Sequence, residues 1–138
     1  MSISSQSTAK QRSAISTANA PQAIGTYSQA IRSGDLLFIS GQIPLNPKTG
    51  VLIESTIEEE IDQVLENLKA VATAAETNLS RAVKITVFLT DLKDFAAVNK
   101  KMAACFSEPY PARAAVQVSA LPKGARVEMD AIVAYGSE

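Results

Sequence analysis

Residues 111–132 read Pro111-Ala112-Arg113-Ala114-Ala115-Val116-Gln117-Val118-Ser119-Ala120-Leu121-Pro122-Lys123-Gly124-Ala125-Arg126-Val127-Glu128-Met129-Asp130-Ala131-Ile132, and how this stretch pairs decides the sheet. Residues 113–120 and 126–134 are rich in Val, Ile and Ala with interspersed polar side chains, and Pro122-Lys123-Gly124 between them is a turn signal. The pattern predicts a hairpin of two antiparallel strands. With the turn centred on Lys123 and Gly124, Gln117 faces Asp130, Ser119 faces Glu128 and Arg113 falls opposite Ala134. Side chains alternate along a strand, so Ala114, Val116, Val118 and Ala120 share an apolar face with Val127, Met129, Ala131 and Val133. Arg113, Ala115, Gln117, Ser119, Arg126, Glu128 and Asp130 share the polar one.

In this register Arg113 and Glu128 lie about six residues apart along the strands, roughly 20 Å at about 3.3 Å per residue. One small ligand cannot touch both within a single hairpin. Three arrangements are open: a bulge or bend intervenes; the polar face packs on another copy and brings Arg113 of one chain toward Glu128 of the next; or the polar face simply meets water. The second is the working expectation.

The rest of the chain supplies what this hairpin must pack against. Thr26 to Ile31 and Leu36 to Gln42 flank the turn signal Ser33-Gly34-Asp35 and predict a first hairpin. Pro44, Asn46, Pro47 and Thr49-Gly50 predict a loop, with Val51 to Ile53 as a short further strand. Thr56 and Glu59 fit a capping box, and Ile57, Ile61, Val64, Leu65, Leu68 and Val71 recur at helical spacing up to about Ala75. Glu58, Glu59 and Glu60 point in different directions on that helix, which favours a solvated first turn over a metal site. Arg81 to Leu89 predicts a buried strand, with Val83, Ile85 and Val87 on one face and Lys84, Thr86 and Phe88 on the other. A second helix over Phe95 to Phe106 follows Asp91 or Asp94 as N-cap, with Phe95, Val98, Met102 and Phe106 as its stripe. The fold class is α+β in two layers, a mixed sheet of about six strands with both helices on one face. The other face, left bare, suits symmetric association into a homo-oligomer.

With 138 residues, 46% of them hydrophobic, the chain suits one domain with a sizeable core. Residues 1–19, rich in Ser, Thr, Gln and Ala and free of acids, predict a flexible N-terminal extension ahead of a single domain over residues 20–138. The extension weakly resembles a transit peptide but has little amphipathic Arg content. A cytoplasmic location is expected, with a mitochondrion or other organelle as the alternative. The net charge of −1 leaves no footprint for nucleic acid, and no apolar run reaches the length of a membrane span. Cys105, the only cysteine, excludes an intramolecular disulfide and reads as a small core residue on the second helix. The sequence contains no histidine, so a His-ligated metal and a Ser–His or Cys–His nucleophile are excluded. Catalysis, if present, rests on carboxylates, Tyr, Lys, Arg, hydroxyls or backbone amides.

The strings Ala23-Ile24-Gly25-Thr26-Tyr27-Ser28-Gln29-Ala30, Ile39-Ser40-Gly41-Gln42-Ile43-Pro44, Asp94-Phe95-Ala96-Ala97-Val98-Asn99, and Pro111-Ala112-Arg113 through Leu121-Pro122-Lys123-Gly124 to Val127-Glu128-Met129 resemble the Rid (YjgF) family, its RidA subgroup in particular. The similarity runs from about Ala20 to the C-terminus. The resemblance implies a chorismate-mutase-like fold, a homotrimer with clefts between subunits, and hydrolysis of short 2-imino or enamine acids such as 2-aminoacrylate and 2-iminobutyrate to the 2-keto acid and ammonia. It also implies that no cofactor is used and that pyridoxal-phosphate enzymes are protected from damage. The residues that match the family's site are Arg113, Glu128, Tyr27, Ser40, Gly41 and Asn99, with Ala115 standing where many members have cysteine. Thr26 replaces a frequent proline, and Asp130 stands for a common second glutamate and receives no role. Two other functions stay open: a trimeric small-molecule-binding or regulatory protein using the same cleft, and a translation inhibitor with RNase activity.

An imino acid offers a carboxylate and an electrophilic C=N carbon. The planar fork of Arg113 suits the carboxylate through two parallel charge-assisted hydrogen bonds. Glu128 is the candidate for taking a proton from the attacking water. Each has a plain alternative: Arg113 as a structural cation, and Glu128 paired with Arg126 or Lys123. Tyr27 donates a hydrogen bond or merely packs. Ser40, the Gly41 backbone and the Ala115 N–H complete the ligand site, and Asn99 binds substrate or makes a capping or interface hydrogen bond.

Overall fold

The computed structural model describes residues 12–136. The chain runs β1 (Arg12–Ile15), β2 (Ala30–Ser33), β3 (Leu36–Gln42), α1 (Ile57–Ala74), β4 (Ala82–Leu89), α2 (Phe95–Cys105), β5 (Ala112–Gln117) and β6 (Val127–Ala134). One mixed sheet of six strands has the order β1-β2-β3-β6-β4-β5. The two-layer α+β expectation holds. Leu37, Ile39, Ile85, Val87, Leu89, Val127, Met129, Ala131 and Val133 from the sheet form one core with Ile61, Val64, Leu68 and Val71 of α1 and Val98 and Met102 of α2.

α1 begins where the capping signal places it. The Thr56 hydroxyl accepts from the Glu59 amide at 3.1 Å, satisfying one of the orphan donors of the first turn. Glu58 and Glu59 are solvated as expected, but Glu60 is not. Its side chain is only 6% exposed and accepts from the Arg126 guanidinium at 2.8 Å, tying the start of α1 to the start of β6. That pairing takes Arg126 away from Glu128 as a partner. Asp91 caps a 3₁₀ turn at Leu92–Asp94, and α2 follows from Phe95.

Three expectations are corrected. First, residues 12–19 are not an extension. β1 pairs antiparallel with β2, and the buried Gln29 side chain donates to the carbonyls of Thr17, Ala20 and Pro21 while accepting from the Thr17 amide. A Ser/Thr-rich composition reveals neither a strand held by its ladder with β2 nor the following segment held by one amide side chain. Residues 1–11 lie outside the described residues. Second, Val51 to Ile53 contributes only an isolated bridge, Leu45↔Leu52, so the sixth strand is β1.

Third, β5 and β6 do not form a hairpin. β5 pairs parallel with β4, Ile85 beside Arg113 and Val87 beside Ala115, and β6 inserts between β3 and β4. Pro122–Gly124 is a 3₁₀ turn with Lys123 in the left-handed region at φ 58°, on a connection that crosses over the end of β4. The physical reason lies in burial. Val127, Met129, Ala131 and Val133 need neighbours on both sides and take the centre, while small, mostly exposed β5 suits an edge. The faces of β5 are therefore reversed: Arg113 and Ala115 are on the helix side with Ile85 and Val87, and Ala112, Ala114 and Val116 are on the bare side. That bare face is also less polar than expected, carrying Phe38 and Val116, each 43% exposed, beside Phe88, Glu128 and Asp130.

Candidate active site

The predicted site residues fall into two groups on opposite faces of the sheet. The first is built on the α2–β5 edge. Phe95, Asn99 and Met102 share one face of α2 at spacings of four and three, and Arg113 from β5 reaches across them. Its Nη1 donates to Asn99 Oδ1 at 2.9 Å and lies 3.8 Å from the Met102 sulfur, and its guanidinium carbon sits 4.7 Å from the centre of the Phe95 ring. All three partners are neutral. A cavity of about 410 Å³ opens beside the guanidinium, lined by Asn99, Met102, Ala103, Tyr110, Pro111 and Arg113.

Ala115 belongs to the same edge. Its methyl packs against the core, and the Val118 amide donates inward to the Leu89 carbonyl. Backbone groups alternate along a strand, so the N–H groups of Arg113 and Ala115 turn outward from the sheet. A guanidinium and an unpaired backbone donor thus stand at one open edge, a combination suited to a small carboxylate.

The second group gathers around Glu128. Between the pairs Ile39↔Ala131 and Gln42↔Met129 the register of β3 slips, leaving Ser40 and Gly41 as a bulge opposite Asp130. A Cβ at Gly41 would collide with Glu128 Oε2, so glycine is what gives this carboxylate its place. The Ser40 hydroxyl donates to the Ser28 carbonyl at 2.6 Å and its amide to the Gln29 carbonyl at 2.9 Å, which fixes the segment bearing Tyr27. The Tyr27 hydroxyl, half exposed, accepts from the Ile24 amide at 3.3 Å. Tyr27, Gly41, Lys123 and Glu128 line a cavity of about 380 Å³ whose apolar walls include Ile24 and Ile43. Burial raises the Glu128 pKa above the usual carboxylate value, and the negative charge of Asp130 adds to the rise.

Tyr27, Ser40, Gly41 and Glu128 are therefore together, Arg113, Asn99 and Ala115 are together, and the two sets are apart. Val116, Phe88 and Glu128 form one rung across β5, β4 and β6. Arg113 is about three residues further along, roughly 10 Å, and β4 and the thickness of the sheet intervene. The separation expected from the hairpin register survives, but through opposite faces rather than distance along one face. Phe95, Met102 and Gln29 were not singled out for the site. The Phe95, Asn99 and Met102 spacing is a helical face that could have flagged the first two, whereas nothing in the sequence marks Gln29.

The chain is a two-layer α+β domain with a guanidinium at a parallel edge strand and a carboxylate against a glycine bulge, two candidate half-sites on opposite faces of one sheet. The family model described as Endoribonuclease L-PSP matches residues 17–135, so the chain belongs to that family, the YjgF/RutC/Rid family. The RutC family protein y4sK of Sinorhizobium fredii is 56% identical over 119 residues, spanning 86% of this chain and 94% of its own length. A Capra hircus protein named 2-iminobutanoate/2-iminopropanoate deaminase is 46% identical over 125 residues, 91% of either chain. Among solved structures, RidA from an Antarctic Psychrobacter matches with a TM-score of 0.85 at 50% identity, covering 89% of this chain and 99% of that one. Imine deaminases are thus among this chain's relatives.

Proposed function

We propose that this chain is a deaminase of short 2-imino and enamine acids, 2-aminoacrylate and 2-iminobutyrate among them, working as a homotrimer whose clefts join the Arg113 edge of one subunit to the Glu128 cavity of the next. The observation that carries this is a guanidinium pre-oriented by Asn99 and Phe95 at an open edge, with no carboxylate among the described residues paired to it. Such a cation is free for an anionic ligand.

In the assembled cleft, Arg113 and the Ala115 N–H hold the substrate carboxylate. Glu128 takes a proton from a water molecule as its oxygen bonds to C2, and the electron pair of the C=N bond moves to nitrogen. Nitrogen takes that proton from Glu128 to give the carbinolamine, whose hydroxyl proton then passes through Glu128 to nitrogen; the oxygen's electron pair forms the C=O bond as the C–N bond breaks, and ammonia leaves with the keto acid behind. Water is the only co-reactant. Tyr27 donates a hydrogen bond to the reacting centre, and Ser40 and Gly41 keep the Glu128 side of the cleft in shape. Hydrolysing aminoacrylate before it attacks pyridoxal-phosphate enzymes is the physiological use. RNA cleavage, suggested by the family model's description, lacks support in a chain of net charge −1 with no histidine.

The test generates 2-iminobutyrate or 2-aminoacrylate in situ with an amino-acid dehydratase and follows loss of the imine. Acceleration by wild type that Arg113→Ala abolishes is the expected result. No acceleration by wild type, or undiminished acceleration by the variant, overturns the proposal.

A further inference from the structure

Glu128 does not stand alone on its face. Asp130 follows two residues later on β6, so both carboxyls rise from the bare side of the sheet with Cα atoms about 7 Å apart. On β4, Phe88 lies beside Glu128, Thr86 beside Asp130, and Lys84 one rung further, beside Ile132. On β3 the Ser40–Gly41 bulge faces Asp130 and brings no charge. β5 contributes only Ala112, Ala114 and Val116 to this face. Lys123 and Tyr27 line the Glu128 cavity, and Arg12 lines the neighbouring depression beside Phe38 and Ser40.

We propose that Asp130 is a positioning residue of this site, whose fixed negative charge one strand repeat away keeps Glu128 basic enough to take a proton from water. The consequence for catalysis rests on the deaminase function proposed above; the charge coupling itself does not.

The two carboxyls are not equivalent. Burial raises the Asp130 carboxyl above its ordinary value, and neighbouring Thr86 and the positive charge of Lys84 offset part of that rise. Among the described residues Glu128 has no comparable donor; burial and Asp130 act on it in the same direction. Both carboxyls are raised, and because they stand on one face two residues apart, the charge on Asp130 acts directly on the titration of Glu128. Two neighbouring half-buried carboxyls with unequal surroundings are how one site comes to hold both an anion and a base.

The experiment is a ¹³C NMR titration of the Glu side-chain carboxyls in the intact protein, with the Glu128 signal assigned by its loss in Glu128→Gln. Glu128 should titrate above the exposed glutamates in wild type, and Asp130→Asn should move its midpoint down toward them. Asp130→Ser, a second neutral variant, should do the same, and Asp130→Glu should restore the wild-type midpoint. In the imine assay the acid limb of kcat should move down with the NMR midpoint, with kcat near neutral pH falling about threefold as the base weakens. A Glu128 midpoint that ignores both neutral variants overturns the proposal, whatever the enzyme does. Wild type that shows the coupling but hydrolyses no imine leaves Asp130's effect on Glu128 standing and removes the deaminase function instead.

Discussion

Gly41→Ala isolates the placement of Glu128 from everything else in the fold. The backbone at Gly41 is not in the left-handed region, so alanine is compatible with it. The added Cβ would collide with Glu128 Oε2 and stand 2.9 Å from Cδ and 3.2 Å from Cγ. Comfortable carbon contacts begin near 3.5 Å, so the carboxyl carbon must retreat by at least about half an ångström and the oxygen further. Only the far end of a flexible side chain blocks the methyl, and alanine also restricts the unfolded chain, so stability should stay within about 1 kcal/mol of wild type. Catalysis should not. Displacing a base by about 1 Å costs on the order of 10²-fold, so kcat on 2-iminobutyrate should fall about a hundredfold while KM changes little, because the Arg113 half is untouched. The assay is imine loss from an in situ dehydratase, run beside urea denaturation of the same samples. Activity within about threefold of wild type, or a loss that follows unfolding, refutes the role given to the bulge.

Asn99→Ala removes the hydrogen bond that orients Arg113 and should raise KM about tenfold, with a smaller effect on kcat, read in the same imine assay. Mixing Arg113→Ala chains with Glu128→Gln chains through denaturation and refolding should recover about a quarter of wild-type activity, since random closed rings then contain intact clefts in that proportion; no recovery would mean that each chain completes its own site. Arg126→Ala leaves the nearly buried Glu60 carboxylate without its cation and should destabilise by about 2 kcal/mol in urea, part of the full cost being relieved because Arg126 is itself partly exposed. Glu128→Gln reports the raised carboxyl through stability. A pKa raised on folding means wild type loses stability as pH climbs from the ordinary carboxyl range through the raised value, so the variant should be the more stable protein near pH 7.5 and lose that advantage by about pH 4, by urea denaturation at both.

Local signals carried most of the elements. Thr56 to Val71 could be read because a cap and a helical stripe are written within one turn of each other, and Leu36 to Gln42 because its turn is Ser33-Gly34-Asp35. Partner choice between strands is not local. Ala112–Gln117 and Val127–Ala134 both look like strands, and the turn between them looks like a hairpin, yet β6 is the more apolar and takes the centre while β5 crosses to the edge. The candidate residues came from a resemblance; on which face each lies was not legible, because one parity error on β5 moves Arg113 to the wrong face. Gln29 was missed for a related reason. A single buried amide holding three carbonyls leaves no periodic trace.

The split between the halves has a chemical logic of its own. A guanidinium within reach of Glu128 in the same chain would form an ion pair, holding the carboxylate down in pKa and spending the cation's field on it. Among the described residues Arg113 meets an amide oxygen, a thioether and a ring face, which orient it without neutralising it. Glu128 sits half buried across the sheet, where burial and then the charge of Asp130 raise its pKa. Each group keeps the property that the proposed hydrolysis of an anionic imine would require of it: a positive charge for the carboxylate, and proton affinity for the water. If the two converge only when a second chain supplies the other half, the substrate's carboxylate is what stands between them. An ion pair that would silence both groups in a lone chain is then replaced by one that holds the substrate in place.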